Sequence, residues 1–280
     1  MKIKILADST CDLSQELLEK NDISLVPLTV IKGDEQFKDG ITITPDDIFA
    51  HVAAGGALCS TAAVSIGEYA DLFASCMQDY DGIIVINIGS GFSACHQNAL
   101  LAAEDFDNVR CIDTCNLTTG QGLIALEARR LAKELDDLDV IADRLNAYRN
   151  TIEASFLIDK LDYLVKGGRC SSAAALGANL LSLKPCIEVK DGKMTVTKKY
   201  RGSYTKSLNN YVKDRLENRT DLDNNVVFIT HVGISDEVLG DVTAAVKEYA
   251  SFDNIYYTTT GCTVSCHCGP GTLGIIFARK

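Results

Sequence analysis

The run Gly89-Ser90-Gly91-Phe92-Ser93 has the makings of an anion site: it ends an apolar stretch, opens a helical pattern, and places a hydroxyl beside the amides of a helix start. Ser93 could donate to a carboxylate or a phosphate there. The same spacing equally suits a plain helix cap with glycines turning the chain. With Ala94 in the third place, Gly89 and Gly91 also fit the loose G-x-G-x-x-A form of the dinucleotide fingerprint, and Asp113 lies near where a ribose-binding acid would be sought. A second hydroxyl-rich run is Cys59-Ser60-Thr61-Ala62-Ala63-Val64-Ser65. Ser65 is accounted for as a helix cap; Thr61, four residues upstream in what reads as a loop, is not. In Lys166-Gly167-Gly168-Arg169 the glycines allow close backbone approach. Arg169 could fork onto a carboxylate or phosphate, or pair with an internal acid.

The fourth fragment, Gly261 to Gly271, holds Cys262, Cys266, His267 and Cys268. Three thiols and an imidazole invite zinc, yet Cys-x3-Cys-x-Cys is not a finger or ribbon spacing. Read as an extended segment, it puts Cys266 and Cys268 on one face and His267 on the other. The same divergence disfavours a Cys–His nucleophile, so His267 fits better as a lone donor to an anion. Taken together, hydroxyls, an Arg and a His can hold an oxyanion, but no Ser-His-Asp signature, P-loop, kinase motif or metal cluster accompanies them. Asp8 and Asp113 at strand ends, with His267, keep a small hydrolase or phosphotransferase as the alternative.

The elements that must position these groups alternate in an α/β manner. Ile3–Ala7 reads as a first strand, Ser24–Ile31 as a second extended stretch turned back by Gly33-Asp34, Gly82–Ile88 as a buried central strand and Val109–Asp113 as another. Helices are predicted from Thr44-Pro45, over Ser65–Gln78 from a capping-box start, over Ala94–Glu104, near Gly120–Glu134 and over Asp137–Tyr148. These crossovers predict a parallel sheet in the first half. The second half mixes hairpins with crossovers. A strand is predicted at Ala154–Ile158, a small-residue helix at Ser172–Leu183, and a hairpin of Ile187–Lys190 and Met194–Lys198 about Asp191-Gly192. A helix through Leu208–Leu216, a strand at Val226–Val232, an amphipathic helix through Ile234–Tyr249 and strands at Asn254–Thr259 and Thr272–Ala278 follow. The expected fold is therefore α/β with two domains, 1–152 and 153–280, an N-terminal parallel sheet and a C-terminal mixed sheet. A cleft between the halves is the default ligand site.

The 280 residues are 46% hydrophobic and 23% charged, ordinary globular values that exclude wholesale disorder and a disulfide miniprotein. A net charge of −11 argues against nucleic-acid partners, though not against a small anion in a local pocket. The longest apolar run, Ala99–Ala103, is far below the roughly 20 residues that span a bilayer, and the start of the chain turns acidic at Asp8. Eleven cysteines, an odd number without a C-x-x-C pair, suit a reducing cytoplasm better than an extracellular disulfide framework.

Five segments in order resemble the DegV family, the group that includes the fatty-acid-binding subunits of bacterial fatty acid kinase. Ala7-Asp8-Ser9-Thr10-Cys11-Asp12-Leu13 is similar to its D-S-x-x-D-L opening, and Thr61 to Tyr69 (TAAVSIGEY) to T-S-Q-P-S-P-G-E-Y. Gly89 to Ala99 (GSGFSACHQNA) is similar to S-S-G-L-S-G-T-Y-Q-S-A, Leu161 to Arg169 (LDYLVKGGR) to L-x-Y-L-x-K-G-G-R, and His267 to Gly271 to H-x-G-P-G. The resemblance spans essentially the whole chain. It implies two α/β domains with a lipid tunnel and no catalytic residue, metal or cofactor, the ligand being a long-chain fatty acid. Thr61 and Ser93 would bind the carboxylate, with Arg169, His267, Ser90 and Gly91 supporting that polar end. It further implies a cytoplasmic carrier that presents the carboxylate to a separate kinase for phosphorylation to an acyl phosphate, with transient membrane contact. The sequence departs from the family pattern at Ala62, Ala63 and Val64, and at Ala94, Cys95 and His96, which puts ligand identity rather than ligand class in question.

Overall fold

The computed structural model describes residues 1–175 and 183–280, which divide into two compact units. The first comprises Met1–Asn150 together with Gly261–Thr263; the second comprises Thr151–Thr260 and Val264–Lys280.

The first unit is built on β1 (Ile3–Asp8), α1 (Gln15–Lys20), β2 (Ile23–Val26), β3 (Thr29–Lys32), β4 (Glu35–Lys38), α2 (Pro45–Ala53), β5 (Ser60–Ala62) and α3 (Ile66–Cys76). It continues with β6 (Gly82–Asn87), α4 (Cys95–Ala103), β7 (Val109–Asp113), α5 (Thr118–Glu134) and α6 (Leu138–Tyr148). Its main sheet has the order β2-β1-β6-β7, parallel throughout, as the crossovers predict. All six residues of β1 and of β6 are buried, which is why these strands lack the alternation of a half-exposed sheet. Leu123, Ile124, Ala128 and Leu131 of α5 and Leu138, Ile141 and Leu145 of α6 are buried on their helices' apolar stripes. The predicted helix starts are present with reciprocal bonds, Thr44 with Asp47 for α2 and Ser65 with Glu68 for α3.

The stretch Ser24–Ile31 is not one strand. Pro27, which has no N–H to give a ladder, separates β2 from β3, and β3 joins a second, three-stranded antiparallel sheet of order β4-β3-β5. This small sheet pairs Val30 with Thr61, so Thr61 lies in a strand where a loop was expected.

The second unit contains β8 (Ile152–Ile158), α7 (Asp162–Gly167), α8 (Ser171–Ala174), β9 (Leu183–Lys190), β10 (Lys193–Arg201), α9 (Tyr204–Leu216), β11 (Leu222–Val232) and α10 (Asp236–Tyr249). β12 (Asn254–Thr259), most of α11 (Cys262–Cys268) and β13 (Thr272–Arg279) complete it. Its six-stranded sheet, β10-β9-β8-β13-β11-β12, is mixed: only β11 and β12 run parallel. The Asp191-Gly192 hairpin is present, both residues having the positive φ that a tight two-residue turn needs. The core joins Leu157, Ile229, Ile275 and Phe277 of the sheet to Leu208, Tyr211, Val212, Val242 and Val246 of α9 and α10. Tyr211 is fully buried; its hydroxyl donates to the Ser155 carbonyl at 2.7 Å and accepts from the Ile275 N–H at 3.0 Å, so its polar end stays satisfied.

Two expectations are corrected. Of the predicted helix over Ser172–Leu183, the described residues include α8, Leu183 belongs to β9 instead, and residues 176–182 lie outside the described residues. The segment taken as extended around Cys262–Cys268 is the helix α11. Its start is capped from a distance: the Asp39 carboxylate accepts from the Cys262 and Thr263 amides at 2.7 and 3.1 Å, favourably placed at the positive end of the helix.

Candidate functional site

The Ser93 loop is fastened before it reaches the helix. Asp8, fully buried where β1 ends, accepts from the Ile88 N–H at 2.7 Å, from Gln121 Nε2 at 3.0 Å, and from the Thr10 hydroxyl and amide at 2.5 and 3.3 Å. Burial raises its pKa and these donors oppose the rise. Asp8 therefore ties the carboxyl ends of β1 and β6 to α5, an engagement that argues against a nucleophile or base there. The Gly89 N–H donates to the Asn116 carbonyl at 2.7 Å, and a Cβ at Gly89 would lie 2.9 Å from the Asn116 nitrogen, so the loop and its neighbour approach as only glycine allows. Ser90 gives both its N–H and its hydroxyl to Asp113, at 3.1 and 2.5 Å, and Cys115 N–H reaches the same carboxylate at 2.9 Å. Burial alone would raise the Asp113 pKa, but these donors hold it below the usual carboxylate range. Asp113 thus anchors the loop, with Ser90 and Cys115 as its donors.

Ser93 is half-buried at the exit of this loop. The N-cap position of α4 falls on Ala94, which makes no side-chain cap, and the Ser93 hydroxyl instead accepts from the Cys95 N–H at 3.3 Å and donates to Cys95 Sγ at 3.3 Å. It leaves a short loop with its oxygen beside a helix start, suited to a small anion. Thr61 is also half-buried, held in β5 by pairing with β3. The chain beyond it is bound to α4: Asn98 Nδ2 donates to the Val64 carbonyl at 2.7 Å. Both hydroxyl-bearing segments are therefore fastened to the same helix.

In the second unit, α7 ends at Gly168, whose φ of 70° closes the helix, and Arg169 follows, exposed. Its Nη1 donates to the Gly167 carbonyl at 2.8 Å, and among the described residues no ion pair involves it, so the expected alternative of an internal acid partner is not met. His267, on the last turn of α11, packs on Gly167: a Cβ there would be 2.5 Å from its Nδ1. The K-G-G-R and H-x-G-P-G motifs thus meet inside one unit. Burial, with Arg169 adding to it, lowers the His267 pKa to about 4, so near neutral pH its ring is an uncharged donor.

Cys262, Cys266 and Cys268 are buried free thiols, and among the described residues no group of three His, Cys, Asp or Glu is placed to hold a metal ion. Cys262 Sγ donates to the Ile43 carbonyl at 3.1 Å. Asp12 and Asp39, not singled out as site residues from sequence, anchor the start of α11. Asp12 accepts from Thr118 Oγ1 at 2.5 Å and from the Gly261 N–H at 2.7 Å, and Asp39 also accepts from Ser9 Oγ at 2.9 Å. Burial pushes Asp12 up to about 8. The signal available for Asp12 was its place in the opening motif; Asp39 offered none. No helix among the described residues is long and apolar enough to cross a membrane.

Residues 2–280 match the family model described as "Uncharacterised protein, DegV family". A DegV domain-containing protein of Clostridium perfringens is 32% identical over 283 residues, covering 100% of this chain and 99% of its own. Among solved structures, a fatty-acid-binding DegV family protein from Thermus thermophilus has a TM-score of 0.90 at 27% identity, with both chains covered completely. A stearic-acid-binding protein from Eubacterium ventriosum has a TM-score of 0.85 at 28% identity, with 99% of this chain and 98% of that one covered. DegV of Bacillus subtilis, a fatty acid binding protein, has a TM-score of 0.83 at 26% identity over the whole of both chains. With the motifs in order, the two sheets in place and the match running end to end, this chain belongs to the DegV family.

Proposed function

We propose that this protein binds one long-chain fatty acid, with Thr61 and Ser93 donating hydrogen bonds to the carboxylate and the acyl tail enclosed in an apolar tunnel. The observation that carries this reading is the pair of half-buried hydroxyls on segments fastened to α4, in a chain similar over its full length to fatty-acid-binding relatives. A carboxylate is ionised near pH 7, and moving it towards buried surface requires donors to replace its water. Neutral hydroxyls do so without forming a permanent ion pair. Each buried methylene contributes about 0.8 kcal/mol, so a long tail supplies on the order of 10 kcal/mol before the cost of ordering. In the same reading Gly91 keeps the loop slim, and Arg169 and His267 support the polar end, as their family motifs imply.

The protein itself would then be a cytoplasmic carrier, with the chemistry in a partner: a separate kinase phosphorylates the presented carboxylate to an acyl phosphate, and the carrier meets a membrane transiently. The engaged carboxylates of Asp8 and Asp113 weigh against the hydrolase or phosphotransferase alternative. The test is to denature the purified protein and analyse the extract by mass spectrometry. A stoichiometric acyl chain is expected; its absence, with no uptake of added oleate, would overturn the proposal.

A further inference from the structure

Asn98 is the fourth residue of α4, and asparagine in a helix interior is less favourable than alanine because its side chain competes for nearby backbone groups. Here it does not compete. Its main-chain N–H donates to the Ala94 carbonyl at 2.9 Å in the ordinary helical way, while Nδ2 reaches out of the helix and donates to the Val64 carbonyl at 2.7 Å. Val64 is buried, and a buried carbonyl needs a donor. The bond falls on a short path. β5 ends at Ala62, and Ser65 caps α3, its hydroxyl accepting from the Glu68 N–H at 3.2 Å while its own N–H donates to the Glu68 carboxylate at 2.9 Å. Only Ala63 and Val64 therefore join the strand that carries Thr61 to a fixed helix start. β5 is an edge strand three residues long, paired on one side with β3. Thr61 is thus held along the sheet by Val30 and from beyond by the tie at Val64. The same helix binds Ser93, whose oxygen accepts from the Cys95 N–H at 3.3 Å.

We propose that Asn98 is a positioning residue for the headgroup site: through the Val64 carbonyl it sets where the Thr61 hydroxyl stands relative to Ser93. The inference rests on the fatty-acid reading and adds to it a residue that does not itself touch the ligand. Position matters because a hydroxyl donates to an oxygen over only about 2.5–3.0 Å and weakens steeply out of line. The loss is greatest where the acceptor is charged. Alanine at position 98 leaves the Val64 carbonyl buried without its donor, so the segment turns that carbonyl towards another partner and carries Thr61 with it.

The experiment is a double-mutant cycle on delipidated wild type, Asn98→Ala, Thr61→Ala and the double variant, each shown by thermal melting to be folded. Binding is measured for oleate and for oleyl alcohol, which share a tail and differ in charge at the head. Asn98→Ala is expected to weaken oleate about fivefold while leaving the alcohol within about twofold, because one charge-assisted hydrogen bond is misdirected and the tail contacts remain. In the Thr61→Ala background, itself about tenfold weaker, adding Asn98→Ala should cost less than about twofold more, since the hydroxyl it positions is gone. Asn98→Ser, whose hydroxyl sits one bond nearer the helix and turns to its own backbone, replaces alanine in the cycle if Asn98→Ala does not fold. Losses that multiply to about fiftyfold in the double variant show that Asn98 acts apart from Thr61 and overturn the proposal. An equal loss of both ligands, or wild-type affinity in either single variant, overturns it too, and all three results leave fatty-acid binding intact. A wild-type protein that takes up neither ligand overturns the functional reading, and this inference with it.

Discussion

In the Ser93 loop of the first unit each nearby carboxylate is occupied by the fold: Asp8 by Ile88, Gln121 and Thr10, and Asp113 by Ser90 and Cys115. In the Arg169 turn of the second unit the charged group is exposed, and its Nη1 donates to a carbonyl only two residues back. The first arrangement sets neutral hydroxyls beside a scaffold of internally satisfied acids, so in the proposed site a headgroup would meet donors already in position. The second leaves a cation whose long side chain must be ordered when it is used. The difference separates residues that hold the fold from residues proposed to hold a ligand, and the two kinds should respond differently to substitution.

The largest effect is expected for Asp8→Ala, which leaves the Ile88 amide and the Gln121 and Thr10 donors buried without their acceptor. A loss of about 3 kcal/mol or more in denaturant unfolding is expected, and an unchanged midpoint would remove Asp8 from its place as the latch of the parallel sheet. Next come Ser93→Ala and Thr61→Ala. Each should weaken fatty-acid binding about tenfold while shifting the melting temperature by no more than about 2 °C. If both variants bind as tightly as wild type, the hydroxyl pair is not the headgroup site. The contrast then sharpens at Asp12, a buried acid whose pKa stands at about 8. The folded state holds that proton where the unfolded chain, with an ordinary carboxylate near 4, has lost it. Stability from Asp12 is thus present at low pH and lost as pH rises towards about 8. Between about pH 7.5 and 8.5 His267 is neutral when folded and largely neutral when unfolded, so it adds little to the slope there. Unfolding measured across that window should show stability falling by at most about 1.4 kcal/mol per pH unit. Asp12→Asn should flatten the curve; a slope of the same size in the variant would place its cause elsewhere. The smallest effect belongs to Arg169→Gln, expected to change stability by less than about 0.5 kcal/mol and fatty-acid affinity by about threefold. A large stability loss would mean that this turn is built like the first unit after all.

Much of this architecture was legible because its signals are local. The unbroken apolar run of β6 announces a strand buried on both faces, Ser65 and Glu68 announce the start of α3, and Asp191-Gly192 announces its hairpin. What escaped notice depends on distant partners. β4 and β5 are short and contain no buried residue, so neither has the alternation that marks a strand, and Thr61 reads as loop accordingly. α11 begins with no capping side chain of its own, since its cap, Asp39, lies more than two hundred residues earlier.

The short piece Gly261–Thr263 is counted with the first unit although the chain around it belongs to the second. It brings three amides to two buried carboxylates and a thiol to the Ile43 carbonyl. A gene cut after Asn150 would therefore release an amino-terminal fragment in which Asp12 keeps Thr118 and Asp39 keeps Ser9 but both lose the amides of this piece, and a remainder in which those amides lose their acceptors. An amino-terminal half expressed with that tripeptide grafted on would regain those amide donors.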